Sequence, residues 1–176
     1  MSLRLLTSND ASWVAPLIRP FYRGSLSDEQ VVQMITDTTH PVITFGDPDV
    51  VTPVGKGMIG QLKHYKLEPD FPIPFLQGKL ATQVNLLGPL PFGTPAANTF
   101  LVDTMLPLLA HVLHKISLRF PVVANRPVWA FGDKTVVDLM LLKFPNAKAL
   151  SVTGGYSYVW HTKLNDADNA VAEVRP

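Results

Sequence analysis

Apolar residues recur at helical spacing in four segments, which predict helices over about residues 9–19, 28–38, 95–120 and 134–144. The second helix has the clearest start, because Ser27 and Gln30 have the spacing of a capping box. Thr94 and Pro95 open the third as its N-cap and first helical residue. This third segment is apolar on nearly every side, so we expect it to be largely buried, with a kink at Pro107.

Short apolar runs predict strands at residues 3–6, 41–45, 57–65, 80–87, 128–131, 147–152 and 156–163. Residues 46–49 read Gly-Asp-Pro-Asp, which is typical of a turn. Three prolines alternate with apolar residues at 69–75, so residues 66–79 are expected to form a packed apolar loop. Gly154 and Gly155 predict a tight hairpin, because glycine tolerates the positive φ angles that such turns need.

In chain order these elements predict a mixed α/β fold. We expect a single domain over residues 1–176, with a central mixed sheet flanked by helices, a C-terminal hairpin and a polar tail from about residue 165. A chain of 176 residues buries roughly 70% of its unfolded surface on folding. Its core therefore needs no disulfide or structural metal.

The charge balance and the lack of cysteine exclude several classes of protein. With 15 Lys+Arg against 14 Asp+Glu, the net charge of +1 gives no field that would gather nucleic acid or an anionic membrane. Without cysteine, thiol catalysis and cysteine-based metal sites are excluded. The first residues lack a signal-peptide pattern and no apolar run approaches the ~20 residues that span a bilayer, so we expect a cytoplasmic protein without membrane insertion.

Three segments resemble parts of a known family. Residues 3–11 read LRLLTSNDA, residues 81–87 read ATQVNLL, and residues 131–134 read FGDK, with LKF at 142–144. In order and content they are similar to the opening strand and capped first helix, the central fourth strand, and the fifth strand and fourth helix of the Gcn5-related N-acetyltransferases (the GNAT family). The resemblance spans about residues 3–164. It implies a GNAT-like acyl-CoA N-acyltransferase fold.

The resemblance implies acetyl-CoA or another acyl-CoA as co-substrate, with its diphosphate on the N–H groups that begin the third helix. A backbone N–H near the end of the fourth strand would hold the thioester oxygen. Residues 90–95 read LPFGTP where the family has Gln/Arg-x-x-Gly-x-Gly/Ala, and proline has no N–H to donate. The residues assigned to acyl-CoA binding are Leu86, Leu87, Gly88, Phe92, Gly93, Thr94, Ala96 and Lys134.

The candidate catalytic residues are Asp133 and Gln83. Asp133 follows the fifth strand, where it could serve as a base or contact substrate, or only cap the next helix. Gln83 lies on the fourth strand, where the family carries a glutamate or aspartate base, and Leu141 stands where many members have a tyrosine acid. Because an amide does not titrate, Gln83 is an unusual residue for that position.

The acceptor side is assigned to Phe21, Tyr22, Arg23 and Tyr156. The first three lie between the first two helices, where a plain turn is the alternative. Tyr156 alternates with Tyr158 and Trp160 onto one face of the last strand, where the rings could stack on a ligand or pack on the sheet. His111 and His114 have no nearby acidic third ligand, so no metal site is predicted.

Together these features predict direct transfer of an acetyl or acyl group to an amine, either a small molecule or a peptide. The alternative is a non-catalytic binding or structural protein of the same fold with an eroded cofactor loop. The sequence selects neither the acceptor nor the acyl chain, and it leaves a homodimer open.

Overall fold

The computed structural model describes residues 4–19, 25–36, 42–52, 55–86, 94–119 and 121–163. The strands are β1 (Arg4–Leu5), β2 (Val42–Thr52), β3 (Gly55–Lys66), β4 (Leu80–Leu86), β5 (Val128–Asp133), β6 (Lys148–Ser151) and β7 (Tyr156–His161). The helices are α1 (Ala11–Ile18), α2 (Asp28–Thr36), α3 (Pro95–Phe100), α4 (Leu106–Arg119), α5 (Pro121–Ala124) and α6 (Lys134–Lys143). Short 3₁₀ turns lie at Ser8–Asp10 and Pro74–Leu76, and a π-helical segment lies at Leu101–Met105.

The strands form a seven-stranded mixed sheet in the order β1-β2-β3-β4-β5-β7-β6, which confirms the predicted α/β class. The pairs β1–β2, β2–β3, β5–β7 and β6–β7 are antiparallel. The chain divides into two compact units, residues 1–64 with 84–91 and residues 65–83 with 92–176. The single domain over residues 1–176 stays a prediction.

The core of the first unit lies where α1 and α2 pack together. Both helices follow their predicted apolar spacing. The predicted capping box of α2 is confirmed, because Ser27 N donates to Gln30 Oε1 (2.8 Å) and Gln30 N donates to Ser27 Oγ (3.2 Å). The last two residues predicted for this helix, 37–38, lie outside the described residues. The buried core residues are Leu6, Val14, Ala15, Ile18, Val31, Ile35 and Ile59.

The predicted turn at residues 46–49 is wrong, because β2 continues through them to Thr52. The pairing of β2 with β3 shifts register between Asp47 and Val51 instead. Asp47 is fully buried, and its Oδ1 accepts a hydrogen bond from Asp49 N (2.9 Å). This local bond supports an irregularity inside the strand of the kind that β-bulges produce. The Gly-Asp-Pro-Asp composition therefore marks a break in the ladder rather than a chain reversal.

A polar cluster around Asp10 joins β1 to the start of α1. Arg4 Nη1 and Thr7 N each donate to Asp10 Oδ2 at 2.8 Å, and Trp13 Nε1 donates to Asp10 Oδ1 at 2.9 Å. Arg4 Nη2 also donates to Oδ1. The hydrogen bonds from Arg4 hold the pKa of the buried Asp10 carboxyl well below its usual range, against the opposing effect of burial. The cluster is therefore a charged, hydrogen-bonded anchor for the N-terminal segment.

In the second unit, residues 66–79 form the packed apolar loop that the prolines predicted. Leu67, Ile73 and Leu76 are buried in one cluster with Ala81 of β4 and Trp129 of β5. The loop closes where Leu67 N donates to Lys79 O at 2.9 Å. Its apolar side therefore covers part of the sheet rather than facing solvent.

The helix predicted over residues 95–120 is divided by a π-helical segment at Leu101–Met105, and the kink expected at Pro107 stays a prediction. Thr94 Oγ1 accepts a hydrogen bond from Ala97 N (3.2 Å), which confirms the predicted cap. The Leu106 N–H bonds to Leu101 O, five residues back, in the π-helical segment. This irregularity lies immediately before Pro107, whose ring removes one N–H from the helical pattern.

By length and composition alone, Pro95–Lys115 is also long and apolar enough to cross a membrane, and 47% of its most apolar window is buried. The core helix of a soluble protein passes the same test. Leu101, Met105, Leu106 and Leu113 are each at most 1% exposed. The stretch is thus packed against other parts of the protein along one side.

The end of the second unit contains β5, α6 and the β6–β7 hairpin. Helix α6 contacts all three strands and buries Val136, Val137 and Met140. The hairpin turns at Gly154 and Gly155, whose φ angles are +97° and +81°, as predicted. Side chains alternate along β7, with Ser157, Val159 and His161 buried and the three aromatic residues on the other face.

Candidate active site

Three of the predicted site residues meet at the end of β5. Asp133 is the last residue of β5 and pairs in register with Tyr156, the first residue of β7. Lys134 begins α6, and its backbone N donates to Gly155 O at 3.3 Å. The hairpin turn therefore holds Tyr156 beside the β5–α6 junction.

The Asp133 carboxylate has one oxygen in structural use. Its Oδ1 accepts a hydrogen bond from Thr135 N at 2.8 Å, so the predicted N-cap of α6 is confirmed. Within the described part of the chain, Oδ2 has no hydrogen-bond partner. The side chain is exposed. A capping role therefore leaves half of this carboxylate available to a ligand.

The Lys134 ammonium pairs with Asp138 one turn along α6. The Nζ–Oδ2 distance is 2.7 Å, and the two side chains are 62% and 55% exposed. Exposed pairs of this kind contribute about 0–1 kcal/mol, because water screens both charges. Lys134 can thus exchange this partner for an anionic ligand at little cost.

An aromatic row crosses β5 and β7 and is continued by the 66–79 loop. We define it as Phe71, Trp129, Tyr158, Phe131 and Tyr156. Phe71 meets Trp129 edge-on with ring centroids 4.8 Å apart, Phe131 lies 4.9 Å from Tyr158, and Phe131 stacks on Tyr156 at 5.1 Å and 21°. The exposed fraction rises from 5% at Trp129 to 46% at Phe131 and 51% at Tyr156. The row is covered at one end and open at the other.

Gln83 on β4 is held by a tyrosine of β3. Tyr65 OH donates to Gln83 Oε1 at 2.9 Å. Burial raises the pKa of Tyr65, so the phenol stays protonated and keeps its role as the donor. The bond turns the carbonyl oxygen of Gln83 toward Tyr65. Its amide N–H₂ group is thereby oriented in the opposite direction.

The start of α3 presents one unused donor. Pro95 has no N–H, and the Ala97 N–H already bonds to Thr94 Oγ1. The Ala96 N–H has no partner among the described residues, and the first turn of a helix cannot supply one. The Thr94–Ala96 segment thus offers an anion fewer N–H donors than a glycine-rich turn would.

Several predicted site residues lie outside the described residues. They are Phe21, Tyr22 and Arg23 on the acceptor side, and Leu87, Gly88, Phe92 and Gly93 in the cofactor loop. Leu86 is described as the last residue of β4 and belongs to the first unit. The roles of all of these residues stay predictions.

Sequence reasoning missed two features of this region, the exposed stack of Phe131 on Tyr156 and the bond from Tyr65 to Gln83. The first had a readable signal, since Trp129 and Phe131 alternate along β5 as Tyr156 and Tyr158 do along β7. The second had none, because Tyr65 and Gln83 are 18 residues apart and meet only across strands.

Two further features of this region are its possible metal-binding side chains and the serine of β7. Among the residues that the structure describes, no three histidine, aspartate or glutamate side chains lie close enough together to hold a metal. Ser157 lies buried in β7 with its Oγ 3.2 Å from Ser151 Oγ.

The fold has clear relatives among solved structures. An N-acetyltransferase from Staphylococcus aureus matches with a TM-score of 0.52 at 9% identity, over 93% of this chain and 97% of that one. FdhC, a nucleotide-linked sugar GNAT, matches with a TM-score of 0.52 at 14% identity, over 98% and 92%. A spermidine N-acetyltransferase from Vibrio cholerae, in complex with CoA and spermine, matches with a TM-score of 0.52 at 11% identity, over 94% and 96%.

No family model and no curated protein sequence matches this chain. The matching solved structures show that the chain has the fold of the Gcn5-related N-acetyltransferases, as its sequence resemblance implied. At sequence identities of 9–14%, this likeness defines the fold alone.

Proposed function

We propose that this protein is an acyl-CoA-dependent N-acyltransferase that transfers an acetyl or acyl group directly to an amine. The observation that carries the proposal is the GNAT fold, which matches acetyltransferases over at least 93% of this chain in the structures compared above. The second unit supplies residues suited to both substrates. The polar groups of this unit that we propose to bind the substrates lie at the start of α3 and at the end of β5.

On the acyl-CoA side, the proposed contacts are the Ala96 N–H and Lys134. The Ala96 N–H at the start of a helix suits an anionic oxygen. The Lys134 ammonium adds a mobile positive charge that its exposed pair with Asp138 does not immobilise. Thr94 contributes indirectly, by capping the helix and keeping its first turn regular.

On the acceptor side, the proposed proton acceptor is the Oδ2 oxygen of Asp133. A neutral amine nitrogen attacks the thioester carbonyl carbon, a C–N bond forms and the C–S bond breaks. The amine loses one proton and the CoA thiolate takes one, so the products are an amide and free CoA. The chain has no cysteine, which favours this direct route over a thiol-bound acyl-enzyme. Gln83, held by Tyr65, is proposed to orient the reacting groups by hydrogen bonding rather than to titrate.

Thermal unfolding with acetyl-CoA, with CoA and with a CoA-free acetyl thioester tests the proposal. A one-site ligand at ~100 times its Kd stabilises the folded state by about 2.7 kcal/mol. For a chain of this size that raises Tm by roughly 5–11 °C. We expect a saturable rise with both CoA compounds and none with the CoA-free thioester. No rise at millimolar CoA would contradict the proposal and favour the non-catalytic alternative.

A further inference from the structure

The open end of the aromatic row, Phe131 and Tyr156, has the geometry of a ligand platform. The two rings lie nearly parallel, with 21° between their planes and 5.1 Å between their centroids. Each is about half exposed, at 46% and 51%. Aromatic rings at the surface of a folded protein usually turn one face to other side chains. Here the rings pack on each other and still leave a large apolar area accessible.

The covered end of the same row shows how the protein buries such rings when burial is their only role. Phe71 reaches over from the 66–79 loop and meets both Trp129 and Tyr158 edge-on, at 4.8 and 5.7 Å. Leu67 and Ile73 of that loop complete the cover. The ring contacts of Phe71 are with Trp129 and Tyr158, whereas those of Phe131 are with Tyr158 and Tyr156. The open end is therefore a separate feature rather than a continuation of the core.

A carboxylate lies directly beside the open end. Asp133 is the register partner of Tyr156 and follows Phe131 by two residues, so its Cβ lies on the same face of β5. Its Oδ2 has no hydrogen-bond partner among the described residues, while Oδ1 caps α6. Two flat apolar rings next to one anionic oxygen complement a molecule with a positive end and a flat apolar body. A polyamine has several positive charges and no ring, so it would make no use of the two rings, and among the described residues Asp133 is the carboxylate that lies in register beside them.

We propose that Phe131 and Tyr156 bind the aromatic body of the acceptor and that Asp133 binds its amino group, so that the acceptor is an aromatic amine of the arylalkylamine type. This inference rests on the proposed N-acyltransferase function and adds the class of acceptor. Ring stacking contributes about 0.5–1.5 kcal/mol beyond the area that it buries. The amine binds as an ammonium beside Asp133 and reacts after its extra proton has passed to water, and the one proton that the neutral amine loses on attack passes by way of Oδ2 to the CoA thiolate.

The test uses calorimetric binding of 2-phenylethylamine, hexylamine and spermidine to the full chain without CoA, so that it does not depend on catalysis. We expect 2-phenylethylamine to bind more tightly than hexylamine or spermidine. Phe131→Leu keeps an apolar side chain without the ring, and we expect it to weaken 2-phenylethylamine binding about tenfold, which corresponds to ~1.4 kcal/mol. Phe131→Tyr should restore most of the affinity. Asp133→Asn retains a capping side chain, so it should weaken amine binding while α6 stays folded.

Leu142→Ala is the matched control, because Leu142 is an exposed apolar residue of α6 (74%) away from the row. It should leave all three affinities unchanged. Equal binding of 2-phenylethylamine by the wild type and Phe131→Leu, or tighter binding of spermidine, would overturn the inference. Failure of the proposed function has a different signature, ring-dependent amine binding without any acetyl-CoA turnover. That result would overturn the assignment of the amine as an acceptor.

Discussion

Two tryptophans, the half-buried Trp13 of the first unit and the buried Trp129 of the second, are held in opposite ways. In the first unit, Trp13 donates its Nε1–H to Asp10 at 2.9 Å, inside a cluster that also includes Arg4 and Thr7. In the second unit, Trp129 is 5% exposed, and its Nε1 has no hydrogen-bond partner among the described residues. Trp129 packs instead against the Tyr158 ring of β7 and against Phe71 and aliphatic side chains of the 66–79 loop.

This difference in hydrogen bonding distinguishes the Asp10 cluster, which has a structural role, from the aromatic row, which lies beside the candidate site. A buried donor without a partner costs about 1–3 kcal/mol, whereas a hydrogen bond to a charged group stabilises by about 1.5–3 kcal/mol. Natural proteins tend to break such rules near functional sites and compensate elsewhere. The polar cluster of the first unit satisfies its groups. The aromatic row of the second unit keeps a buried donor at one end and exposed rings at the other.

The largest expected effect is on the Asp10 cluster. Asp10→Ala removes the acceptor of five hydrogen bonds and leaves Arg4 without its carboxylate, so we expect the free energy of unfolding to fall by about 3 kcal/mol. This value is at the lower end for a buried pair, because the Arg4 side chain is 48% exposed and keeps its water. Urea denaturation measures the change. Asp138→Ala, which removes an exposed pair, is the control and should cost less than about 1 kcal/mol.

The same cluster predicts how stability depends on acid. The folded-state pKa of Asp10 lies below the unfolded value of about 3.9, so its stabilising effect is fully present above that pH. As the pH falls below about 4, the unfolded chain takes up a proton that the folded chain resists, and the free energy of unfolding declines. Asp10→Asn should have a shallower acid decline between pH 4 and pH 2. Parallel profiles for the two proteins would contradict this role.

The two tryptophans can be compared directly with one substitution. Trp13→Phe and Trp129→Phe remove the same atoms, but only the first breaks a hydrogen bond to a buried carboxylate. We expect Trp13→Phe to cost more than Trp129→Phe, because it breaks a hydrogen bond to a charged group worth about 1.5–3 kcal/mol, whereas Trp129→Phe loses buried volume but also removes an unsatisfied donor. Denaturant midpoints at neutral pH measure both changes. Equal costs would remove the contrast between the units.

The smallest effects concern the helix caps. Ser27→Ala in the first unit and Thr94→Ala in the second should each cost about 0.5–2 kcal/mol, because each removes a side-chain acceptor at an N-terminus. The contrast should appear with ligand. Only Thr94→Ala should also reduce the rise in Tm that CoA produces, since only that helix start is proposed to bind it.

The sequence predicted those features that depend on neighbouring residues. The capping residues Ser27, Thr94 and Asp133 and the turn at Gly154 and Gly155 follow local rules, and the structure confirms each of them. The resemblance in three short segments was sufficient for the fold.

The features that the sequence analysis predicted wrongly or missed depend on residues that are distant in sequence. Residues 46–49 have turn composition, yet pairing with β3 keeps them in a strand. The hold of Tyr65 on Gln83 and the stack of Phe131 on Tyr156 arise only when strands are aligned. The candidate site was thus predicted as single residues such as Asp133 and Tyr156, and its arrangement was not.

The proposed acyl transfer is tested most directly by measuring the free CoA thiol that the wild-type protein releases from acetyl-CoA in the presence of 2-phenylethylamine. The acetylated amine is identified in parallel by mass spectrometry. We expect saturable, amine-dependent release of the thiol with formation of an equal amount of the amide. Thiol release at the background rate across a panel of aromatic, aliphatic and polyamine acceptors would contradict it.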